Sequence, residues 1–268
     1  MSGDPARVRL QGPDGAQAWV SLQGGQVLSW TCAGRERLYL SPHARYAPGQ
    51  AIRGGVPVIF PQFADRGPGP RHGFARTRLW THTGAGRFLL RDDEATRALW
   101  PHRFEAELCV DLGPDSLTMS LHVANVGNEG FEFGAALHTY LRVDELARAT
   151  LIGLGGGRYL DATRHDAPGV QHETELGFAG EFDRLYPDAA SGLTLHEDGR
   201  RLAIRSDGFP DTVVWNPGER LAADLADLGA GEHRRFVCVE AAAAAAPLRL
   251  APGQRWQGSQ TLTVRDPH

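Results

Sequence analysis

The stretch Phe104-Glu-Ala-Glu-Leu-Cys-Val-Asp-Leu112, followed by Gly113-Pro-Asp-Ser116 and Leu117-Thr-Met-Ser-Leu-His-Val-Ala124, decides the fold class. Apolar and polar residues alternate in the two outer segments, which is the pattern of strands that bury one face in a core. The glycine, proline, aspartate and serine between them favour a tight turn. The sequence therefore predicts an antiparallel hairpin of residues 104–112 and 117–124.

The same pattern extends over most of the chain. Residues 193–197 and 202–205 flank Asp198-Gly199, which is a second hairpin signal. Further strands are predicted at residues 17–22, 27–31, 37–40, 131–143, 212–215, 236–240 and 256–264. No linker or internal repeat interrupts them. We therefore expect one all-β domain spanning residues 1–268, a sandwich of antiparallel sheets with few short helices.

Helical signals are sparse. Residues 219–228 form the best candidate, because Leu221, Leu225 and Leu228 share one face between Pro217 and Gly229. The alanine run at residues 241–246 favours a helix locally. It is too short to form one alone, so its conformation is left open.

The composition of the chain bears on its core size and on its cellular compartment. The chain has 268 residues, 41% of them hydrophobic, which suffices for one large core. No apolar run approaches the ~20 residues that span a bilayer, and the first residues lack the apolar segment of a secretory signal. Cys32, Cys109 and Cys238 are far apart, as expected for buried thiols in a reducing compartment. We expect a cytoplasmic monomer without a membrane partner.

One residue type is missing altogether. All 28 basic residues are arginine, so Schiff-base catalysis, attachment of pyridoxal phosphate and a Walker lysine are excluded. Chemistry at a carbonyl or hemiacetal must then use acids, bases or a metal. Nucleic acid is not an expected partner, because the net charge is −4 and only one cluster of the chain is basic.

That basic cluster lies between residues 51 and 80. It contains five arginines and a single acid, Asp65, among glycines, prolines and aromatic residues. The arginines are Arg53, Arg66, Arg71, Arg76 and Arg78. Because a guanidinium pairs well with phosphate or carboxylate oxygens, the segment predicts an anion site.

Four sequence motifs carry a resemblance to a known family. They are Arg53-Gly-Gly-Val-Pro57 with Arg71-His-Gly-Phe-Ala-Arg76, then Ala136-Leu-His-Thr-Tyr-Leu141, Val213-Val-Trp-Asn-Pro217 and Phe236-Val-Cys-Val-Glu240. In this order they resemble the hexose-6-phosphate mutarotases (glucose-6-phosphate 1-epimerases) of the aldose 1-epimerase superfamily. The resemblance implies a galactose-mutarotase-like β-supersandwich and interconversion of the α and β anomers of a phosphorylated hexose.

The resemblance also implies roles for particular residues. Glu240 would be the base that removes the proton of the C1 hydroxyl, and His138 the acid that protonates the ring oxygen. Arg53 and Arg76 would bind the phosphate. His72 would contact a substrate hydroxyl or act as a second acid.

Several other positions have weaker support. Asp183 matches a family aspartate that binds a sugar hydroxyl, whereas Arg71 departs from the family, which often has glutamine there. Asp211 and Trp215 are minor candidates, for a turn cap and for core packing or sugar stacking. The eleven histidines form no short-spaced metal motif, so we expect no metal and no organic cofactor.

Three alternatives stay open at this point. The protein could be a mutarotase for free aldoses, although a neutral sugar would leave the arginines of the cluster unneutralised. It could be a non-catalytic sugar-binding or regulatory protein, although His138 and Glu240 would then have no reason to be retained. A metal-dependent isomerase on a barrel is the most distant alternative. The identity of the hexose is not encoded in any motif.

Overall fold

The computed structural model describes residues 6–189 and 192–266, so residues 1–5, on which the expectation about a secretory signal depends, lie outside the described part. The first strands in chain order are β1 (Arg7–Gln11), β2 (Gln17–Ser21), β3 (Gln26–Cys32), β4 (Arg35–Glu36), β5 (Val58–Ile59), β6 (Thr81–Gly84), β7 (Arg87–Arg91), β8 (Phe104–Leu112), β9 (Ser116–Asn125) and β10 (Phe131–Leu137). They continue with β11 (Tyr140–Arg142), β12 (Ala149–Ile152), β13 (Arg158–Asp161), β14 (Ala167–Val170), β15 (Glu175–Gly177), β16 (Phe182–Tyr186), β17 (Leu193–Glu197), β18 (Arg200–Asp207), β19 (Asp211–Asn216), β20 (Phe236–Leu250) and β21 (Arg255–Val264).

Both predicted hairpins are confirmed. β8 and β9 pair along their full length, and their alternate residues, such as Leu108 and Leu121, are buried at 1% and 0% exposure. In the second hairpin, between β17 and β18, Asp198 and Gly199 have φ angles of +49° and +79°. Two successive positive φ angles are typical of the turn that Asp-Gly favours between two strands.

The strands form two large sheets and one small one. The larger sheet has the order β15-β12-β17-β18-β21-β9-β8-β7-β6. The second has the order β14-β13-β16-β19-β20-β10-β5, with β11 paired to β20, and β1 to β4 form the small sheet. Apolar side chains of both large sheets meet in one core, as the contact between Phe133 of β10 and Trp256 of β21 shows, with ring centres 5.6 Å apart. The predicted antiparallel sandwich is therefore confirmed.

Two short α-helices occur in the described residues. α1 (Glu94–Leu99) begins with a capping box, in which Asp93 accepts a hydrogen bond from the Thr96 amide and Thr96 accepts one from the Asp93 amide. α2 (Gly218–Asp224) is shorter than the predicted helix, because Leu225 has an extended backbone. Neither helix in residues 6–189 and 192–266 is long and apolar enough to cross a bilayer.

The segment predicted as one strand at 131–143 is interrupted. β10 ends at Leu137 and β11 begins at Tyr140, and the amide of His138 donates to the carbonyl of Pro57 at 3.0 Å. β20 pairs first with β11, through Cys238 and Tyr140, and then with β10, through Ala241 and Leu137. The break therefore lies beside the part of β20 that contains residues 239 and 240.

The alanine run is part of a strand. Ala241 pairs with Leu137 on one side and Thr212 on the other, and Ala242 has partners on both sides as well. Further along, the buried carboxylate of Asp211 accepts the amides of Ala244 and Ala245, at 2.7 and 2.8 Å. Backbone pairing on both sides outweighs the weak helical preference of alanine. Asp211 thus binds the backbone of this strand and does not cap a turn.

Residues of β20 alternate between two faces of its sheet. Val237, Val239 and Ala241 pack into the main core. Cys238 and Glu240 point to the opposite face, as expected from the two-residue period of a strand. The predicted strand at residues 236–240 would end at Glu240. In the structure Glu240 lies inside a 15-residue strand instead. The interior of a paired strand holds its side chain firmly on that outer face.

Candidate active site

His138 and Glu240 meet on the outer face of the second sheet. His138 Nε2 lies 3.3 Å from Glu240 Oε1, and the two side chains are 10% and 1% exposed. His138 lies in the break between β10 and β11, and Glu240 lies in the continuous strand beside it. Two residues 102 positions apart are thus brought into contact.

Burial decides the protonation of this pair. It raises the pKa of Glu240 well above its ordinary value, and Asp183 raises it further while Arg76 lowers it. Burial also lowers the pKa of His138 to about 3, with a smaller contribution from Arg76 and then Arg53. Burial thus favours the uncharged form of each group, and the 3.3 Å contact joins Oε1 of the carboxyl group to Nε2 of the imidazole.

Three aromatic rings surround the His138 imidazole. Tyr140 stacks on it, with ring centres 4.9 Å apart and planes 13° apart. Trp215 and His72 contact it edge-on, at 5.8 and 5.7 Å. His138 Nδ1 has no hydrogen-bond partner in the described part of the chain. Packing, rather than a hydrogen bond to the second nitrogen, therefore holds the ring.

His72 has its proton fixed on one nitrogen. Its Nδ1 accepts the amide of Ala64 at 3.2 Å, so Nε2 carries the proton of the neutral ring. Burial, followed by the charges of His138 and the nearby arginines, lowers the pKa of His72 to about 2. Its backbone is left-handed, with φ of +63°. His72 can thus donate a hydrogen bond near pH 7, but it is not a proton donor in the acid–base sense.

Three of the five arginines of the predicted anion site, Arg53, Arg71 and Arg76, differ in their surroundings. Arg53 Nε donates to the Asp227 carboxylate and its Nη1 to the Tyr140 hydroxyl, both at 3.1 Å. Arg71 forms an ion pair with Asp65 at the surface, where its side chain is 59% exposed.

Of Arg53, Arg71 and Arg76, Arg76 is the one without a carboxylate partner in the described residues. One amino group donates to the Arg71 carbonyl at 3.0 Å, and the buried Nε makes no hydrogen bond there. Burial lowers its pKa, and its charge acts on both His138 and Glu240. A half-buried guanidinium that no acid neutralises favours an anionic ligand.

Asp183 lies on the same face as the pair. It pairs with Trp215 of β19, and Trp215 pairs with Cys238 of β20, two residues before Glu240. Burial raises the pKa of Asp183 to about 6, against a lowering by Arg71. The sheet thus places a second carboxyl group across from the first.

Two residues at the site were missed by the sequence interpretation. Tyr140 stood in a quoted motif without a role, although its two-residue spacing from His138 predicts the same side of a strand. Asp227 belongs to none of the family motifs, and it lies in the irregular segment after α2 rather than in the helix predicted at residues 219–228. Residues 6–189 and 192–266 contain no group of three or more His, Cys, Asp or Glu residues that could hold a metal.

Comparison with known proteins identifies the family. The family model described as aldose 1-epimerase matches residues 6–263. The chain belongs to the aldose 1-epimerase family. A relative from Cenchrus ciliaris named "Putative glucose-6-phosphate 1-epimerase" is 35% identical over 277 residues, which cover 96% of this chain and 84% of the relative. A relative of the same name from Escherichia coli K12 is 34% identical over 262 residues, covering 92% of this chain and 87% of the relative.

Solved structures agree with this assignment. A crystal structure described as "a putative mutarotase (YeaD) from Salmonella typhimurium" has a TM-score of 0.89 at 29% identity and covers 97% of this chain and 90% of that one. A galactose mutarotase-like protein from Lactobacillus casei has a TM-score of 0.77 at 13% identity, covering 97% of this chain and 100% of that one. The second likeness concerns the fold alone. The galactose-mutarotase-like fold expected from the sequence is confirmed.

Proposed function

We propose that this protein interconverts the α and β anomers of a hexose 6-phosphate, with glucose 6-phosphate as the first candidate. One observation carries the proposal: the buried contact of His138 with Glu240 lies in the field of Arg76, which no carboxylate in the described residues neutralises. The names of the two relatives point to the same substrate.

The reaction needs one base and one acid. Transfer of a proton from the Glu240 carboxyl group to His138 Nε2 would produce the carboxylate and the imidazolium. Glu240 then removes the proton of the C1 hydroxyl while His138 gives its proton to the ring oxygen, and the C1–O5 bond breaks to form the aldehyde. Because both oxygens are bonded to C1, a pair 3.3 Å apart needs only small side-chain movements to contact one each.

Ring closure reverses these steps on the other face. The bond between C1 and C2 rotates, and the O5 hydroxyl attacks the opposite side of the aldehyde carbon. O5 returns its proton to His138, and Glu240 returns its proton to O1. The pair ends in its starting state, so no further proton donor is required.

The neighbouring residues would orient the sugar phosphate. Arg76 and the remaining amino group of Arg53 would contact the phosphate, and Arg71 would add charge at the rim if it leaves Asp65. His72 would donate Nε2–H to a substrate oxygen, which favours the hydroxyl-partner role over the second-acid role. Asp183 would bind a sugar hydroxyl.

One observation favours a second candidate, a mutarotase for free aldoses. Arg53 is already paired with Asp227, and Arg71 with Asp65, so a single arginine of the three has no acid partner in the described chain. A site with one unneutralised arginine gives a smaller preference for phosphate than two would.

The deciding experiment is anomer exchange measured by NMR. The rate is compared for the 6-phosphates of glucose, galactose and mannose and for the free sugars, with and without the protein. We expect the largest acceleration for a hexose 6-phosphate, and equal kcat/KM for glucose and glucose 6-phosphate would leave a plain aldose mutarotase. A cytoplasmic location and a monomeric state are further expectations, which fractionation and light scattering would test.

A further inference from the structure

A network of side chains leads from the catalytic pair to an acid that no motif predicts. Asp227 accepts a hydrogen bond from Arg53 Nε at 3.1 Å, and both side chains are 22% exposed. Ser41 holds the two residues together: its hydroxyl donates to the Asp227 carbonyl at 2.7 Å, and its amide donates to the Arg53 carbonyl at 3.1 Å. The Asp227–Arg53 contact is therefore fixed through the backbone at both ends.

Arg53 extends this network to the ring below the catalytic histidine. Its Nη1 donates to the Tyr140 hydroxyl at 3.1 Å. Tyr140 is 3% exposed, its ring lies against Phe236 at 5.1 Å, and its other face stacks on His138. Asp227, Arg53 and Tyr140 thus form a continuous support that ends at the imidazole.

His138 has particular need of such a support. A catalytic histidine is usually oriented by a hydrogen bond to its second ring nitrogen, but His138 Nδ1 has no such partner in the described residues. His138 also lies in a break between two strands, where no ladder holds its backbone on both sides. The orientation of Nε2 toward Glu240 therefore depends on ring packing. Tyr140 is stacked face to face on the imidazole, while Trp215 and His72 contact it edge-on.

We propose that Asp227 is a positioning residue for the reaction, because it fixes Arg53 against the Tyr140 hydroxyl and thereby keeps His138 Nε2 directed at Glu240. The inference builds on the proposed function, since it concerns the same acid–base pair. It differs from a phosphate role, because a positioning residue acts on free and phosphorylated sugars alike. Arg53 then serves the catalytic pair even when its remaining amino group binds an anion.

The test compares three variants by NMR anomer exchange. Asp227→Ala removes the acceptor, and Tyr140→Phe keeps the ring but removes the hydroxyl. Small displacements of a catalytic group are costly, so we expect each change to lower kcat on glucose 6-phosphate about tenfold with little change in KM. The same factor is expected in kcat/KM for free glucose. Asp227→Asn, which keeps the accepting oxygen, should retain most of the activity.

The double variant separates positioning from two independent effects. If Asp227 acts through Tyr140, combining Asp227→Ala with Tyr140→Phe should again cost about tenfold, whereas independent effects would multiply to about a hundredfold. Glu132→Ala is the matched control, because it removes a carboxylate that pairs with Arg249 at 2.6 Å on the surface, and it should leave kcat unchanged.

Several results would overturn the inference. A multiplicative double variant would do so, as would an Asp227→Ala protein in which only KM for the phosphorylated sugar rises. The variants are compared on whichever sugar the wild type converts, so a wild type that acts only on free hexoses refutes the phosphate preference and still tests Asp227. A wild type that converts neither class refutes both proposals.

Discussion

Replacing Arg76 by methionine tests the phosphate preference most directly. Arg76 has a buried, unbonded Nε and no acid partner in the described residues, where its one side-chain hydrogen bond goes to the Arg71 carbonyl, so part of its hydrogen-bonding capacity is unused. A charge-assisted hydrogen bond contributes ~1.5–3 kcal/mol, and we count one bond because the side chain is partly exposed. At ~1.4 kcal/mol per factor of ten, Arg76→Met should weaken binding of glucose 6-phosphate about 10- to 150-fold.

The kinetic pattern is as informative as the size of the effect. Contacts to the phosphate are similar in the ground state and the transition state, so the loss should appear mainly in KM. Arg76 also acts on the pKa of both members of the pair in ways that oppose each other, because it stabilises the Glu240 carboxylate and destabilises the His138 imidazolium. We therefore expect kcat/KM for free glucose to change no more than about threefold.

Anomer exchange by NMR measures both sugars in the same buffer. Arg78→Met is the matched control, because Arg78 is also partly buried but contacts the face of Phe74 instead, at 6.0 Å. High salt should reduce the difference in kcat/KM between glucose and glucose 6-phosphate in the wild type, because it screens the charge of the phosphate. Equal losses on glucose and glucose 6-phosphate after Arg76→Met would refute the reasoning.

The remaining predictions concern the catalytic pair, metal dependence and pH. Glu240→Gln removes the base and His138→Ala the acid, so either should slow anomer exchange ~10²–10⁴-fold, and a Glu240→Gln protein with more than about a third of wild-type exchange would contradict the assignment. Dialysis against EDTA should leave the rate unchanged, and activity that returns only with added Zn²⁺ or Mg²⁺ would show a metal requirement. The pKa of Asp183 is raised from 3.8 to about 6 on folding, so the folded protein holds this proton more tightly than the unfolded chain. Its contribution to stability should be lost as the pH rises from about 4 to 6, and thermal melts of wild type and Asp183→Asn should diverge in that window; parallel curves would contradict the raised pKa.

Local sequence determined much of the fold. The β8–β9 and β17–β18 hairpins were predictable, because alternation and turn residues act over neighbouring positions. Local patterns were not sufficient where distant pairing partners decide the conformation. The alanine run, whose conformation the sequence left open, belongs to a strand in which Ala241 and Ala242 pair on both sides. The strand predicted at residues 131–143 is divided in two, because β20 changes partner there.

The candidate site, like the fold, could be predicted from the sequence only in part. His138, Glu240 and the arginines were found by family motifs, since the chemistry requires those residue types in those contexts. The motifs could not show which arginine is neutralised, and only the tertiary structure pairs Arg53 with Asp227 while leaving Arg76 without an acid in the described chain. Nor could they show that Tyr140 stacks on His138, or that Ala64 fixes the proton of His72. Burial and contacts between residues far apart in sequence set these charges and proton positions, and both arise only when the sheets pack.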